Sequence, residues 1–187
     1  MGRDLLTAAA GAAQPAVDAR TRLMALYHTL NRRPPVEDQR ARKAAFRSLL
    51  RTLGPWLPED RSTPVLDAGC GEGTLLCLLR SLGYMRLEGF DLSEENVGIC
   101  HGRGLDFVLR FDAARLASFP GLRRYGVVFA MDLIEHLPKA QAAGFLEQVR
   151  AMLLPGGAAV VQTPNMGGLA GCFYRYNDLS HEFGLSE

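Results

Sequence analysis

The sequence predicts an α/β protein built on a doubly wound, mainly parallel sheet. Three observations predict it. Beyond Pro64, short apolar runs alternate with segments of helical periodicity, the pattern of strand–helix–strand units. The first run passes straight into a glycine-rich loop, Gly69-Cys70-Gly71-Glu72-Gly73. Asp67, Asp91 and Asp112 then stand at the ends of three successive runs, and sheets of this kind bind ligands at the carboxyl ends of their strands.

Taken in order, residues 1–15 read as a loose N-terminus. Arg3 and Asp4 precede their Ala-rich stretch and no apolar core follows, which argues against a signal peptide. Leu23, Leu26, Tyr27 and Leu30 keep the i, i+3, i+4, i+7 spacing of one helical face, stopped by Pro34-Pro35. Phe46, Leu49, Leu50 and Leu53 repeat it up to Gly54-Pro55. Residues 1–60 thus form an N-terminal helical extension over the sheet edge or a ligand cleft, and 61–187 the main domain.

Strands are expected at 65–68, 86–90, 107–111, 127–131 and 158–163. A helix over 74–82 closes on Gly83. Ser93 caps the next helix, with Glu94 and Glu95 in the first turn, where the dipole favours acids. A helix over 139–153 should turn Phe145, Leu146, Val149, Met152 and Leu153 inward, and Pro155-Gly156-Gly157 should turn the chain into the fifth strand.

Composition limits the functions available. The 187 residues suit roughly one domain. With 48% hydrophobic and 22% charged residues, the chain can build a core, which argues against a disordered chain. Lys+Arg is 21 against 20 for Asp+Glu, so no strong field recruits nucleic acid or an anionic membrane. The basic residues between Arg20 and Arg51, Arg32 and Arg33 among them, read as a solvated helix face. Cys70, Cys77, Cys100 and Cys172 contain no C-x-x-C pair, so neither a zinc knuckle nor a disulfide framework is suggested, and free thiols suit a reducing cytoplasm. No apolar run nears the ~20 residues that span a bilayer.

A dinucleotide fingerprint wants G-x-G-x-x-G. Here the third glycine comes one position early, and Asp67 sits two residues before the first. A carboxylate there suits a ligand with a cationic amine better than a pyrophosphate. Asp91 can accept from ribose hydroxyls, and Asp112 can reach a purine amino group. Each acid alone would read as a turn or cap residue; three with the loop point to one nucleoside carrying a positive charge.

After the fourth strand, Asp132, Glu135 and His136 fall at i, i+3, i+4, one face of a helical turn. A second histidine, His181, stands in Asp178-Leu179-Ser180-His181-Glu182. Two readings compete. His136 or His181 is a general base for a hydroxyl acceptor, or Asp132, Glu135, His136 and His181 form a mixed O/N divalent-metal site. Phe173-Tyr174-Arg175-Tyr176-Asn177 either line an acceptor pocket or pack as a surface loop.

The pieces VLDAGCGEG (65–73), GFDLS (89–93), FDA (111–113), VVFAMDLIEHL (127–137) and LLPGG (153–157) resemble the class I S-adenosylmethionine-dependent methyltransferases, whose fold is Rossmann-like. The resemblance runs from Pro64 to Asn165. It implies that Asp67, Gly69, Cys70 and Gly71 hold the methionine part of S-adenosylmethionine, Asp91 and Leu92 the ribose, and Asp112 and Ala113 the adenine, with Met131 and Asp132 beside the cofactor. The D-x-x-E-H…H set is similar to the E-x-x-E-H…H set of small-RNA terminal 2′-O-methyltransferases and ubiquinone-pathway O-methyltransferases, with Asp132 where those families carry Glu. The TPN run (163–165) and the segment 175–182 are similar to small-molecule and glycan-modifying members. The expected activity is methyl transfer to a hydroxyl of a small molecule or sugar. Its alternatives are metal-assisted methylation of a vicinal diol or catechol, and a non-catalytic, partner-completed cofactor-binding subunit. A nucleotide-dependent oxidoreductase is disfavoured by the glycine spacing and Asp67. Set against that fold, the chain lacks the last two strands, so an uncovered sheet edge is expected to pair with a second copy or a partner chain.

Overall fold

The computed structural model describes residues 19–30, 39–121 and 124–186. The expectations for 1–15, Arg32, Arg33 and Pro34-Pro35, and those for the Leu30 and Tyr174 side chains, lie outside what is described.

Among the described residues, five parallel strands form one sheet in the order β3-β2-β1-β4-β5. They are β1 Val65–Ala68, β2 Leu87–Asp91, β3 Val108–Arg110, β4 Tyr125–Met131 and β5 Leu153–Gln162. The chain leaves β1 in the middle, winds outward to β3, then crosses back to β4. That reversal puts a crevice at the carboxyl ends of β1 and β4.

Burial follows from the pleat. Successive residues point to opposite faces, so Val65 and Val127 enter one core while Leu66 and Val128 enter the other. The first core is closed by α3 (Gln39–Leu53), α4 (Thr74–Ser81) and α5 (Glu94–Gly102); the second by α6 (Lys139–Ala151) and a 3-10 turn, Ala113–Ser118. With both faces covered, β1 is buried at all four positions, as its unbroken apolar texture requires.

Two short N-terminal helices, α1 (Ala19–Ala25) and α2 (Tyr27–Leu30), replace the single helix expected there. They bridge the crevice. Ser93 Oγ donates to the Ala25 carbonyl, the Thr29 hydroxyl reaches Glu95, and the Tyr27 hydroxyl donates to Asp178 at 3.1 Å.

Two expectations are corrected at α6 and β5. Leu146 is 40% exposed, because α6 buries Ala142, Phe145 and Val149 and Leu146 falls at the margin of that stripe. Leu153 is in β5, which begins five residues earlier than expected. Pro155-Gly156-Gly157 form a bulge inside the strand, between the Tyr125–Leu153 and Val127–Ala158 pairs, with Gly156 at φ +77°. β5 is an edge strand that leaves Leu154 and Val161 exposed. Among the described residues no helix is long and apolar enough to cross a membrane.

Candidate active site

The loop after β1 takes the shape its glycines permit. Gly69, Gly71 and Gly73 have φ of +67°, +53° and +73°, a region that costs other L-residues about 1–2 kcal/mol. A Cβ on Gly69 would come 2.8 Å from Leu133 Cδ1, whereas one on Gly71 would meet nothing within 4 Å. The loop tip therefore faces open space with bare backbone. Cys70 turns inward instead. Its thiol meets that of Cys100, and this contact with burial holds it well above the usual thiol range.

Asp67 and Asp91 lie side by side under this loop, 2% and 7% exposed. Asp91 fastens the loop to β2 and α5. Oδ2 accepts from the Gly71 amide at 2.9 Å, and Oδ1 accepts from the Ser93 amide and the Asn96 side-chain amide. Burial raises its pKa while these donors oppose the shift. Asp67 has no such donors acting on it; burial, then the Asp91 charge, push it up to about 8. Near neutral pH it is mostly a protonated acid that a ligand cation would ionise.

Asp112 caps the 3-10 turn through the Ala114 amide and pairs with Arg20 of α1 at 3.3 Å. Arg20 also donates from Nε to the His136 carbonyl at 3.2 Å. Ala113 is buried beside Asp112, while Leu92 and Met131 are half-buried at the ends of β2 and β4. Asp67, Gly69, Cys70, Gly71 and Asp91 are thus gathered in one place, and Asp112 is engaged by the chain's own arginine.

Across the crevice, the backbone after β4 is strained. Asp132 has φ +50°, uncommon for a residue other than glycine and a mark of functional turns. Its side chain is exposed and accepts from Gln162 Nε2 at 3.2 Å. The expected helical turn is a 3-10 turn, Ile134–His136, so Asp132 does not stack on Glu135 and His136. Those two are buried, and with His181 they bring three ligand-type atoms within 4.8 Å of one another. Of the four residues expected to bind a metal, Asp132 falls outside this group.

Glu135 is fully buried with the Thr163 hydroxyl beside it, and among the described residues neither group makes a hydrogen bond of good geometry. Burial, reinforced by the Asp132 and Asp178 charges, pushes Glu135 up to about 7. Burial, then the neighbouring His181, lowers His136 to about 4, so its imidazole is neutral at physiological pH. His136 Nδ1 lies 2.9 Å from Ser180 Oγ, and Ser180 donates to Asp178.

These side chains line a cavity of about 500 Å³ with Tyr27, Asp132, Asp178, Thr163 and Asn165. Asp67, Asp91 and Asp112 do not line it. Three acids face it, and no lysine or arginine among the described residues. Phe173 is on its wall, while Tyr176 is exposed. Tyr27, Ser180 and Arg20 were not singled out as site residues. The Asp178-x-Ser180 spacing is a local turn signal that could have flagged one of them; Tyr27 and Arg20 act across the whole chain and leave no local trace.

Strand order, glycine loop and paired acids at the strand ends define the class I S-adenosylmethionine-dependent methyltransferase fold. Residues 38–180 match the model of the family described as methyltransferase domain, and the chain belongs to that family. It is similar to a SAM-dependent methyltransferase structure from Archaeoglobus fulgidus, with TM-score 0.67 and 24% identity over 86% of this chain and 67% of that one. Among curated relatives it is 34% identical to the ubiquinone biosynthesis O-methyltransferase of Paraburkholderia xenovorans (strain LB400), over 54% of this chain and 44% of that protein. It is 28% identical to the tRNA U34 carboxymethyltransferase of Pseudoalteromonas translucida (strain TAC 125), over 59% of this chain and 35% of that protein. The chain spans less than half the length of these two relatives.

Proposed function

We propose that this protein is an S-adenosylmethionine-dependent O-methyltransferase, cytoplasmic, acting on a hydroxyl of a small, uncharged, hydroxyl-rich acceptor such as a sugar or a diol. The observation that carries this reading is the 500 Å³ cavity at the ends of β4 and β5, where Glu135, His136 and His181 converge. The relatives named for O-methyl transfer support it.

Asp67 fits the cationic end of the cofactor. It is a buried acid with a raised pKa and no donor acting on it, and the bare tip at Gly71 leaves room for a ligand backbone. When bound, the sulfonium supplies the methyl group. The protein's contribution is alignment of the hydroxyl oxygen in line with it and removal of the hydroxyl proton. His136, unprotonated at neutral pH, offers a lone pair for that proton, with His181 beside it at a ring separation of 4.7 Å. The three acids on the cavity wall disfavour phosphate- or carboxylate-bearing acceptors, and a nucleic acid with them.

A second reading has an observation of its own. The buried Glu135 carboxylate beside two imidazoles, with no hydrogen bond of good geometry among the described residues, fits a divalent cation held by Glu135, His136 and His181. Such an ion lowers the pKa of a coordinated hydroxyl. The exposed β5 edge also supports pairing with a second chain, which sedimentation would detect.

The test begins with titration calorimetry against S-adenosylhomocysteine, followed by radiolabelled methyl transfer to a panel of polyols, catechols and tRNA. Binding with transfer to a neutral diol or catechol is expected. No binding at millimolar concentration would remove the methyltransferase reading; transfer to tRNA alone would remove the small acceptor. Chelator-insensitive activity with no ion on elemental analysis would remove the metal.

A further inference from the structure

We propose that Ser180 and Asp178, steadied by Tyr27 from the N-terminal helices, are positioning residues that hold His136 in a single tautomer, with the proton on Nδ1 and Nε2 left as the ring's acceptor. The inference rests on the reading of His136 as a working imidazole.

The argument is a count of protons. Ser180 Oγ has one hydrogen and touches two groups, Asp178 Oδ1 and His136 Nδ1. A carboxylate only accepts, so the Ser180 proton lies toward Asp178. Ser180 therefore presents a lone pair to Nδ1 at 2.9 Å. The second neighbour of Nδ1 is the Ser180 carbonyl oxygen at 3.3 Å, also an acceptor. Two acceptors facing one ring nitrogen require that nitrogen to be protonated. A neutral imidazole has only one N–H, so Nε2 carries the lone pair that a hydroxyl proton or a cation would need.

Asp178 is itself held on both oxygens. Oδ1 accepts from the Ser180 amide at 2.9 Å, and Oδ2 accepts from the Tyr27 hydroxyl at 3.1 Å. The Tyr27 ring also stands edge-on to the imidazole, with centroids 5.5 Å apart and planes at 88°. A plain Asp-x-Ser turn is complete with the Ser180 amide alone. Here the turn also reaches an imidazole 44 residues away and a tyrosine 151 residues away in sequence, more than a loop requires to hold its shape.

The test is two-bond nitrogen–proton NMR on histidine-labelled full chain at neutral pH, with His136→Ala identifying the signal. The wild type should show a pyrrole-type Nδ1 and a pyridine-type Nε2. Ser180→Ala should turn this into a tautomer mixture and lower kcat roughly tenfold or more, a typical cost for a misplaced acid–base group, with S-adenosylhomocysteine affinity unchanged. Ser180→Thr should restore both. Tyr27→Phe removes one donor to Asp178 without touching the loop and should give a weaker change of the same kind, which keeps the test open if Ser180→Ala does not fold. A proton on Nε2 in the wild type, or a tautomer unaltered by Ser180→Ala, would overturn the proposal. Full methyl transfer by His136→Ala would overturn the base assignment while leaving the tautomer result standing.

Discussion

The ends of β1 and β2 and the ends of β4 and β5 are two halves of one edge of the sheet, built in opposite ways. On the first side the acids are buried and the loop is self-bonded, with Asp91 bound to three donors from Gly71, Ser93 and Asn96. All of its parts lie on one strand–helix–strand unit and the start of the next helix, between Asp67 and Asn96. On the second side a cavity of about 500 Å³ stays open, and Glu135 is buried with no hydrogen bond of good geometry among the described residues. Its walls come from α2, the segment after β4, and the stretch around α7 (Gly171–Asn177). One half is a mould fixed by local turn chemistry; the other is assembled by contacts between distant segments. The first can hold a constant ligand, and the second can change its acceptor without disturbing the mould.

The largest expected effect separates the halves by sign. Asp67→Asn should weaken S-adenosylmethionine binding more than about a hundredfold, since it removes the charge facing a cationic ligand. The same change should stabilise the empty protein by about 1–3 kcal/mol, because a carboxyl crowded against Asp91 in a buried site is replaced by a neutral amide. Calorimetry reads the first and chemical denaturation the second. A variant that binds normally would put the mould elsewhere.

Next in size is the acceptor half. His136→Ala and Glu135→Gln should each lower methyl transfer by about 10²–10⁴, the range for a lost acid–base group, with S-adenosylhomocysteine affinity preserved. Loss of cofactor affinity in step with rate would mean the two halves are not separable.

These halves were not equally legible in the sequence. The strand–helix alternation and the glycine loop are local, so period and turn chemistry revealed β1, β2, α4 and the Ser93 cap. Asp67 and Asp91 stood out because acids at strand ends beside a glycine loop have few structural uses, and the structure buries both beneath that loop. The second half was only partly visible. Glu135, His136 and His181 stood out by type, but the 3-10 turn that separates Asp132 from them depends on the strained φ at Asp132, which spacing cannot show. Leu146 was misplaced because helical period gives the direction of a stripe but not its width. The pairs Tyr27–Asp178 and Arg20–Asp112 are tertiary, and no window of sequence contains both members.

A pH series would sharpen the contrast without mutating the acceptor side. Asp67 and Glu135 have native pKa values raised from 3.8 and 4.5 to about 8 and about 7. The native state therefore binds more protons than the unfolded chain, and their contribution to stability is lost as pH rises toward those values. His136, lowered from 6.5 to about 4, acts oppositely, its contribution being lost as pH falls below 6.5. Above that point the raised acids dominate, Asp67 and Glu135 with Asp91 shifted in the same direction. The melting temperature of the empty protein should fall between pH 6.5 and 8, and Asp67→Asn should flatten the upper part of that fall. At pH 7 cofactor binding should release protons as Asp67 ionises, visible as a dependence of the binding enthalpy on buffer.

The smallest effect is expected at Asp132, and it tests where the working group ends. Asp132 shares the cavity wall with Glu135, His136 and His181 but not their cluster, and its carboxylate is held by Gln162. Asparagine tolerates a positive φ as aspartate does and can still accept from Gln162. Asp132→Asn should then lower the rate less than about tenfold, near the limit of what losing one exposed charge can do, against the far larger loss for Glu135→Gln. A loss as large as that of Glu135→Gln would return Asp132 to the cluster and make its left-handed backbone an adjustable part of the site. The strain at Asp132 would then be relieved on loading, and Asp132→Gly, which removes both strain and carboxylate, would stabilise the empty protein while abolishing transfer.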